Sequence, residues 1–185
     1  MPTRCKWANP KNQRYLDYHD HEWGVACHDE VRLFEMLNLE GAQAGLSWET
    51  ILNKRDNYTQ AFSNWDVQHI ARYDTAKIAE LLDNPGIVRN RLKIAATIGN
   101  AQAYLRLRES GQTLDQYLWN FVDGKPIQNQ TGNLPAKTAL SDQISKDLLK
   151  RGFKFVGSTI VYAYMQAVGL VNDHHPGCFR YGELC

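Results

Sequence analysis

The sequence predicts an all-α protein, and three kinds of observation point to this class. Apolar residues recur at helical spacing along most of the chain, capping residues flank the periodic segments, and no pair of alternating strands is joined by a hairpin turn. Apolar residues make up 43% of the 185 residues and charged residues 22%, so the chain can form a substantial core. We therefore expect one helical unit spanning residues 1–185.

The first strongly periodic segment is DEVRLFEMLNLEGAQAG, residues 29–45. At 100° per residue, Leu33, Met36 and Leu37 fall on one face, which should point into the core. Glu40 falls on the same face. A carboxylate is costly there unless it has partners or meets a cavity, although a glutamate at the margin of the core is an equally simple interpretation.

Two further helices flank a tight turn. They are DTAKIAELLDN, with Asp74 as the candidate N-cap, and RLKIAATIGNAQAYLRLRE, which should end near Gly111. The Pro-Gly turn between them would present backbone N–H groups at the start of the second helix. Such a helix terminus carries partial positive charge and suits a phosphate, although an ordinary helix connection has the same pattern.

The C-terminal half predicts three more helices. TLDQYLWNFV begins with Thr113 and Gln116 at the spacing of a capping box. SDQISKDLLKRG should run from an N-cap at Ser141 to a C-cap at Gly152. VGSTIVYAYMQAVG is rich in β-branched residues, but its length and the glycine at its end favour a helix. The stretch 123–140 carries Gly, Pro and Asn without a period, and it predicts a loop or a boundary.

Composition also narrows the class of protein. The start of the chain, MPTRCKWANP, has no apolar run of the kind found in secretory signals, and no stretch is long enough to span a bilayer. We expect a soluble cytoplasmic protein. The formal net charge of +1 gives no support to nucleic-acid binding, and the basic clusters VRNRLK and KRGFK are typical of a solvated helix surface.

Cysteine and histidine residues suggest a metal site. Without an export signal, the four cysteines are better explained as metal ligands or free thiols than as disulfides. His174 and Cys178 stand four residues apart around a Pro-Gly turn and can supply half of a zinc site. Cys5 and His19 are the best candidates for the other half. The competing candidates are His21, Cys27 and His175.

Four protein ligands would leave no coordination position for a substrate or a reactive water. A zinc ion held in this way would join the two ends of the chain rather than take part in a reaction. Scattered thiols and imidazoles remain the alternative interpretation, because a single His-x3-Cys pair is a weak signal.

Aromatic rings and carboxylates are combined in two unusual stretches, YLDYHDHEWGV and LEGAQAGLSWETIL. Any one of these rings could simply pack in the core. Their clustering near an inward carboxylate instead predicts a pocket for a flat, electron-poor or cationic ligand. The rings concerned are Trp7, Tyr15, Tyr18, Trp23 and Trp48.

Five blocks of sequence carry a resemblance to a known family. In order they read YHDHEWGV, LEGAQAGLSW, GIVRNRLKI, KRGFKFVG and GLVNDHHPGC. Together they resemble bacterial DNA-3-methyladenine glycosylase I of the helix-hairpin-helix glycosylase superfamily, and the resemblance runs from Cys5 to Cys178. It implies a helix-hairpin-helix lobe at 31–122 and a small zinc-containing lobe formed by residues 1–30 and 123–185.

The resemblance also implies roles for individual residues. Glu40 corresponds to the glutamate that contacts the base, Tyr18 and Trp48 to pocket rings, and Leu46 to the wedge that fills the space of an extruded nucleotide. The turn DNPGIVRN corresponds to the hairpin that anchors DNA. Its candidate contacts are Gly86, Val88 and Arg89. The remaining pocket rings are Trp7, Tyr15 and Trp23, and the ligands of one structural Zn²⁺ are Cys5, His19, His174 and Cys178.

The activity implied by the resemblance is hydrolysis of the N-glycosidic bond of 3-methyladenine in alkylated double-stranded DNA. The enzyme would flip the nucleotide, release free 3-methyladenine and leave the strand uncut. The family lacks the catalytic aspartate of most of its superfamily, and no aspartate here clearly takes that role. We expect a monomer. The alternatives are a zinc-stabilised DNA-binding module without catalysis and a hydrolase of nucleosides or nucleobases.

Overall fold

Helices form most of residues 2–184, the part of the chain that the computed structural model describes. This confirms the prediction of an all-α class. The α-helices are α1 (Gln13–His21), α2 (Glu30–Ala42), α3 (Trp48–Asn53), α4 (Arg55–Ala61), α5 (Val67–Ile70), α6 (Thr75–Asp83), α7 (Arg91–Glu109), α8 (Leu114–Trp119), α9 (Ala139–Lys150), α10 (Ser158–Ala167) and α11 (Phe179–Glu183). Two 3-10 turns cover Ser63–Trp65 and Asn120–Val122.

Helix ends follow the capping chemistry of the sequence. The Asp74 side chain accepts a hydrogen bond from the Lys77 amide and begins α6. Thr113 and Gln116 form the predicted capping box of α8. Gly152 lies just beyond α9 with a φ of +92°, a conformation that glycine adopts without strain.

The predicted start of α9 is wrong by three residues. Thr138 is the N-cap, and its hydroxyl accepts a hydrogen bond from the Ser141 amide. Ser141 occupies the third helical position, where its own hydroxyl accepts from the Thr138 amide. Two hydroxyl residues three apart can form this reciprocal box only with the earlier one as the cap.

The stretch predicted as a loop contains a small element of regular structure. Strand β1 (Ile127–Gln128) pairs in parallel with β2 (Val171–Asn172). The pairing ties the 123–140 stretch to the segment that follows α10. Except for this short ladder and the first residues of α9, the stretch is irregular, as predicted.

Helix α2 lies at the centre of the molecule. All residues from Leu33 to Ala42 are buried, and α2 packs against α7, α8 and α10. The contact between α2 and α10 joins the two predicted lobes, so the buried core continues from one into the other, and α10 packs in turn against α9. The boundaries of the two lobes stay a prediction.

Close backbone contact also fixes the C-terminal end of α10. Gly169 has a φ of +78°, and a side-chain carbon there would lie 2.4 Å from the Val25 carbonyl group. Glycine alone fits this contact, which holds the segment after α1 against the end of α10. Within residues 2–184, no helix is long and apolar enough to cross a membrane.

Candidate active site

Glu40 lies near the C-terminal end of α2, on the helix face that the apolar periodicity predicts. The residue is only 4% exposed, and no described group forms a hydrogen bond with its carboxyl. Burial raises the pKa of Glu40 to about 8, because an ionised carboxylate loses its hydration there. At neutral pH the empty site therefore holds a protonated acid, which can ionise when a positive charge arrives.

Aromatic rings surround this acid. Tyr18 comes from α1 and Trp48 from the first turn of α3, and their ring centroids are 5.4 Å apart. Trp7 lies between Tyr15 and Trp23, at 5.3 and 4.8 Å from them. The structure thus brings together all five predicted pocket rings around Glu40.

The rings and Glu40 line one cavity of about 280 Å³, a volume suited to a single flat heterocycle. The indole N–H groups of Trp7 and Trp48 are buried and have no described acceptor. A buried donor without a partner is costly, so both groups favour a polar ligand in the cavity. Among the described residues that line the cavity there is no aspartate and no lysine.

Four lining residues lie outside the set that the sequence predicts. They are Gln43, Leu134, Ala163 and Gln166. Gln166 follows an apolar run in α10, so a polar side chain on an otherwise apolar helix was a usable signal, the same one that marks Glu40. Leu134 arrives from the irregular 123–140 stretch, where no local pattern marks it.

The loop after α2 carries the predicted wedge. Leu46 is 39% exposed beside the cavity-lining residues Gln43 and Trp48. The Gln43 side chain donates to the Leu46 carbonyl at 2.6 Å, and the Leu46 amide donates back to the Gln43 carbonyl at 2.7 Å. Lys93 donates to the carbonyls of Ala42 and Ala44, so an exposed apolar side chain stands on a firmly held loop.

The predicted DNA-anchoring turn joins α6 to α7. Arg89 is exposed there. The amides of Gly86 and Val88, however, already donate within the protein, to the Asn84 side chain at 2.8 Å and to the Tyr58 hydroxyl at 3.2 Å. These two amides are therefore not free to bind a phosphate, whereas the expectation of exposed amides at the start of the second helix stays a prediction. The groups still available to bind a phosphate at this turn are the Arg89 side chain and the first amides of α7.

One buried cluster contains Cys5, His19, His174 and Cys178. Within it, Cys5 and His174 are in contact although they are 169 positions apart in the sequence. The ligand atoms all lie within 4.8 Å of one another. Cys5 Sγ and Cys178 Sγ are each 3.5 Å from His174 Nδ1, and Cys178 Sγ is 3.5 Å from His19 Nε2. A tetrahedral zinc ion separates its sulfur and nitrogen ligands by about 3.5 Å, so the donor set fits zinc.

Partners outside the cluster orient both imidazoles. His19 Nδ1 lies 2.8 Å from Asp20, which is itself held by Arg4. His174 Nε2 lies 2.9 Å from the Trp23 carbonyl oxygen. Such contacts leave the opposite ring nitrogen for the metal, as in established zinc sites.

The competing ligand candidates do not join the cluster. His175 is exposed, and its ring accepts a hydrogen bond from the Gly177 amide. His21 and Cys27 also lie outside the group of ligand atoms. Cys185, counted among the thiols of the sequence, lies outside the described residues.

The cluster adjoins the cavity. His19 follows Tyr18 in α1, and the Trp7 ring lies 5.1 Å from the His19 ring. The Trp23 ring lies 4.7 Å from the His174 ring. Three residues that line the cavity therefore adjoin the cluster: Tyr18 by its place in the sequence, and Trp7 and Trp23 by contact between rings.

Fold and site together define a helical protein with an aromatic cavity beside a buried acid, a site suited to a flat, electron-poor ring. Residues 7–181 match the sequence profile of the family described as methyladenine glycosylase, and the chain belongs to this family. It is 48% identical over 181 residues to DNA-3-methyladenine glycosylase 1 of Escherichia coli K12, with 96% of each chain covered. It is 45% identical to DNA-3-methyladenine glycosylase of Haemophilus influenzae, covering 96% of this chain and 97% of that one.

Solved structures agree with this assignment. A crystal structure of a 3-methyladenine DNA glycosylase I is 49% identical, with a TM-score of 0.93 and coverage of 96% of this chain and 98% of that one. A glycosylase I from Staphylococcus aureus, described for its recognition of 3-methyladenine, is 36% identical, with a TM-score of 0.89 and coverage of 92% and 93%.

Proposed function

We propose that this protein repairs alkylated DNA by hydrolysing the N-glycosidic bond of 3-methyladenine, releasing the free base and leaving the strand uncut. The observation that carries the proposal is Glu40, a buried acid without a described partner inside a cavity walled by five aromatic rings. The relatives named for this activity support it.

The chemistry asks little of the protein in the bond-breaking step. Adenine methylated at N3 within DNA carries a positive charge, and it becomes neutral as the bond to the sugar breaks. A good leaving group needs little help from a general acid, which agrees with the absence of aspartate among the described cavity residues. Without a lysine there, no covalent sugar intermediate forms, and water completes the reaction.

Glu40 selects for the charged base. A cation lying against the rings of Tyr18 and Trp48 stabilises the carboxylate, and the carboxylate accepts hydrogen bonds from the base edge. A normal purine is neutral and cannot stabilise the carboxylate, so Glu40 stays protonated beside it and the attraction between carboxylate and cation is absent. Its glycosidic bond is also too strong to break unless the base is protonated. We infer that normal bases are rejected at both steps.

DNA is engaged by the two loops beside the cavity. Leu46 fills the space of the extruded nucleotide, and the turn that contains Gly86, Val88 and Arg89 contacts the phosphate backbone. Both loops would belong to the helix-hairpin-helix lobe at 31–122. The near-neutral charge of the chain suggests only modest affinity for undamaged DNA.

The Cys2His2 cluster would hold one structural Zn²⁺ through Cys5, His19, His174 and Cys178. Bound there, zinc supplies a cross-link between the chain ends and no reaction step, because all four tetrahedral positions are filled by protein. Residues 1–30 and 123–185 would form this lobe. We further propose that the protein acts in the cytoplasm. We also propose that it is a monomer, because one chain supplies the residues that line the cavity.

The activity is tested by incubating the purified protein with methylated double-stranded DNA and identifying the released bases by chromatography. We expect free 3-methyladenine and no strand breaks before alkaline treatment. DNA binding without release of a base would instead indicate a non-catalytic binding module. Cleavage of free nucleosides, but not of DNA, would indicate a nucleoside hydrolase.

The pH dependence follows from Glu40. With a pKa of about 8 in the empty cavity, the acid must lose its proton to receive a cationic base. The ionised fraction changes about tenfold per pH unit below that value. We expect kcat/KM for 3-methyladenine excision to rise about tenfold per pH unit from pH 6 toward pH 8 and then level off. A flat wild-type profile across this window would contradict the role of the acid.

Leu46→Ala tests the wedge. The substitution removes an exposed apolar side chain, so it should leave stability and the affinity for free 3-methyladenine unchanged. It should lower kcat/KM on duplex DNA about tenfold, because the extruded state loses its apolar filler. Leu149→Ala, at another exposed leucine, is the matched control. Equal losses of free-base affinity and duplex activity would show that Leu46 acts on the cavity instead.

A further inference from the structure

Gln166 is a polar side chain of the cavity wall whose orientation is dictated from behind. Its amide nitrogen donates to Asp173 Oδ2 at 2.8 Å. Asp173 is 2% exposed and does not line the cavity. A carboxylate oxygen can only accept, so the amide must turn its NH₂ group toward Asp173. The side-chain carbonyl oxygen of Gln166, Oε1, is the part of the amide left for the cavity, and no described group donates to it.

The Asp173 carboxylate is itself held in place. Tyr162 in α10 donates its hydroxyl to the same oxygen, Oδ2, at 2.5 Å. Asp173 follows β2 directly, in the segment that also contributes His174 to the Cys2His2 cluster. Because the buried Asp173 carboxylate can only accept, it keeps the Gln166 amide in one of its two orientations, and Tyr162 adds a second donor to the same oxygen.

The cavity otherwise offers mainly donors and aromatic faces. The indole N–H groups of Trp7 and Trp48 are free donors, and Glu40 becomes a charged acceptor only when a cation binds. A fixed neutral acceptor discriminates between purines by the group at C6. A 6-aminopurine presents an N–H donor there, whereas a 6-oxopurine presents a second acceptor, which an opposing carbonyl repels.

We propose that Gln166 is a specificity-determining residue of the cavity, whose carbonyl oxygen accepts the exocyclic amine of a 6-aminopurine, and that Asp173 is its positioning residue. This inference rests on the proposed function. It assigns the preference for 3-methyladenine over 3-methylguanine to a neutral hydrogen-bond acceptor rather than to the charge of Glu40, since both alkylated nucleotides are cationic.

The test measures binding of free 3-methyladenine and free 3-methylguanine by quenching of the cavity tryptophans. Gln166→Leu should weaken 3-methyladenine binding about tenfold, the usual value of one hydrogen bond, and leave 3-methylguanine binding equal or better. Gln102→Leu, at an exposed glutamine of α7, is the matched control and should keep the wild-type ratio of the two affinities.

Asp173→Leu tests the positioning role. A leucine can neither accept nor donate, so nothing dictates the orientation of the Gln166 amide, which can then present its NH₂ group to the cavity as well as its carbonyl oxygen. The ratio of affinities should shift roughly threefold toward 3-methylguanine, which a merely structural defect would not produce. Tyr162→Phe removes the other donor to Asp173 and should leave the ratio unchanged.

Two outcomes overturn the inference. One is a folded Gln166→Leu protein with the wild-type ratio of affinities, and this result decides the matter even if Asp173→Leu fails to fold. The other is a folded Asp173→Leu protein whose ratio does not move. If the wild-type protein binds neither base and releases none from DNA, the proposed function itself fails, and the two failures are thus distinguished.

Discussion

Glu40→Gln should lower the excision of 3-methyladenine about 100-fold while making the protein more stable at alkaline pH. The loss arises because glutamine cannot supply the negative charge that stabilises a cationic base in the aromatic cavity. The substitution keeps the shape of the side chain and one carbonyl acceptor, so the cavity should still form. Chromatographic release assays on methylated DNA measure the first effect.

The gain in stability follows from linkage. Folding raises the pKa of Glu40 from an ordinary 4.5 to about 8, so the folded state holds its proton more tightly than the unfolded state. The burial of Glu40 therefore leaves the free energy of unfolding unchanged below pH 4.5. It lowers that free energy by an increasing amount between pH 4.5 and 8, and by a constant amount above pH 8. That constant is on the order of 5 kcal/mol, and Glu40→Gln removes it.

Urea unfolding of both proteins at pH 5 and pH 9 measures this difference. Glu109→Gln, at an exposed position at the end of α7, is the matched control and should change neither excision nor alkaline stability. Wild-type excision by Glu40→Gln would remove the acid from the mechanism. Unchanged stability at pH 9 would show that Glu40 is ionised in the empty cavity without cost.

Cys178→Ser should abolish zinc binding and lower the melting temperature by about 10 °C. The residue is 5% exposed and lies within 3.5 Å of both cluster histidines. Losing the cross-link between the chain ends should cost about 4 kcal/mol, and a chain of this size loses roughly 2–4 °C per kcal/mol. Elemental analysis and thermal unfolding measure the two effects.

Cys27→Ser is the matched control, because Cys27 is a half-buried thiol outside the cluster. It should retain one zinc per chain and nearly the wild-type melting temperature. The affinity of Cys178→Ser for 3-methyladenine should also fall, since Trp7 and Trp23 pack on the cluster histidines. A wild-type protein that is folded and free of zinc would contradict the structural role of the metal.

Much of the fold could be predicted from local sequence. The period of Leu33, Met36 and Leu37 identified the buried face of α2, and the same period placed Glu40 inside. Caps such as Asp74 and Thr113 were readable because capping needs only a few neighbouring residues. These features depend on interactions within one helical turn, which the order of residues specifies directly.

Other features depend on contacts between distant segments. The spacing of His174 and Cys178 suggested a metal site with Cys5 and His19 as the best further candidates, but only tertiary structure or family resemblance could exclude their competitors. The two-residue pairing of β1 with β2 left no local signal. Leu134 reaches the cavity from an irregular stretch, and only the folded chain shows this.

Titration of the Glu40 carboxyl by carbon-13 NMR tests the central claim most directly. The spectra are recorded with and without 3,9-dimethyladeninium, a purine whose positive charge is fixed by alkylation. We predict a pKa of about 8 in the free protein and a fall of at least two units when the cation binds, because the cation stabilises the carboxylate. A Glu40 that ionises below pH 5 in the free protein, or whose pKa the cation leaves unchanged, would contradict the account.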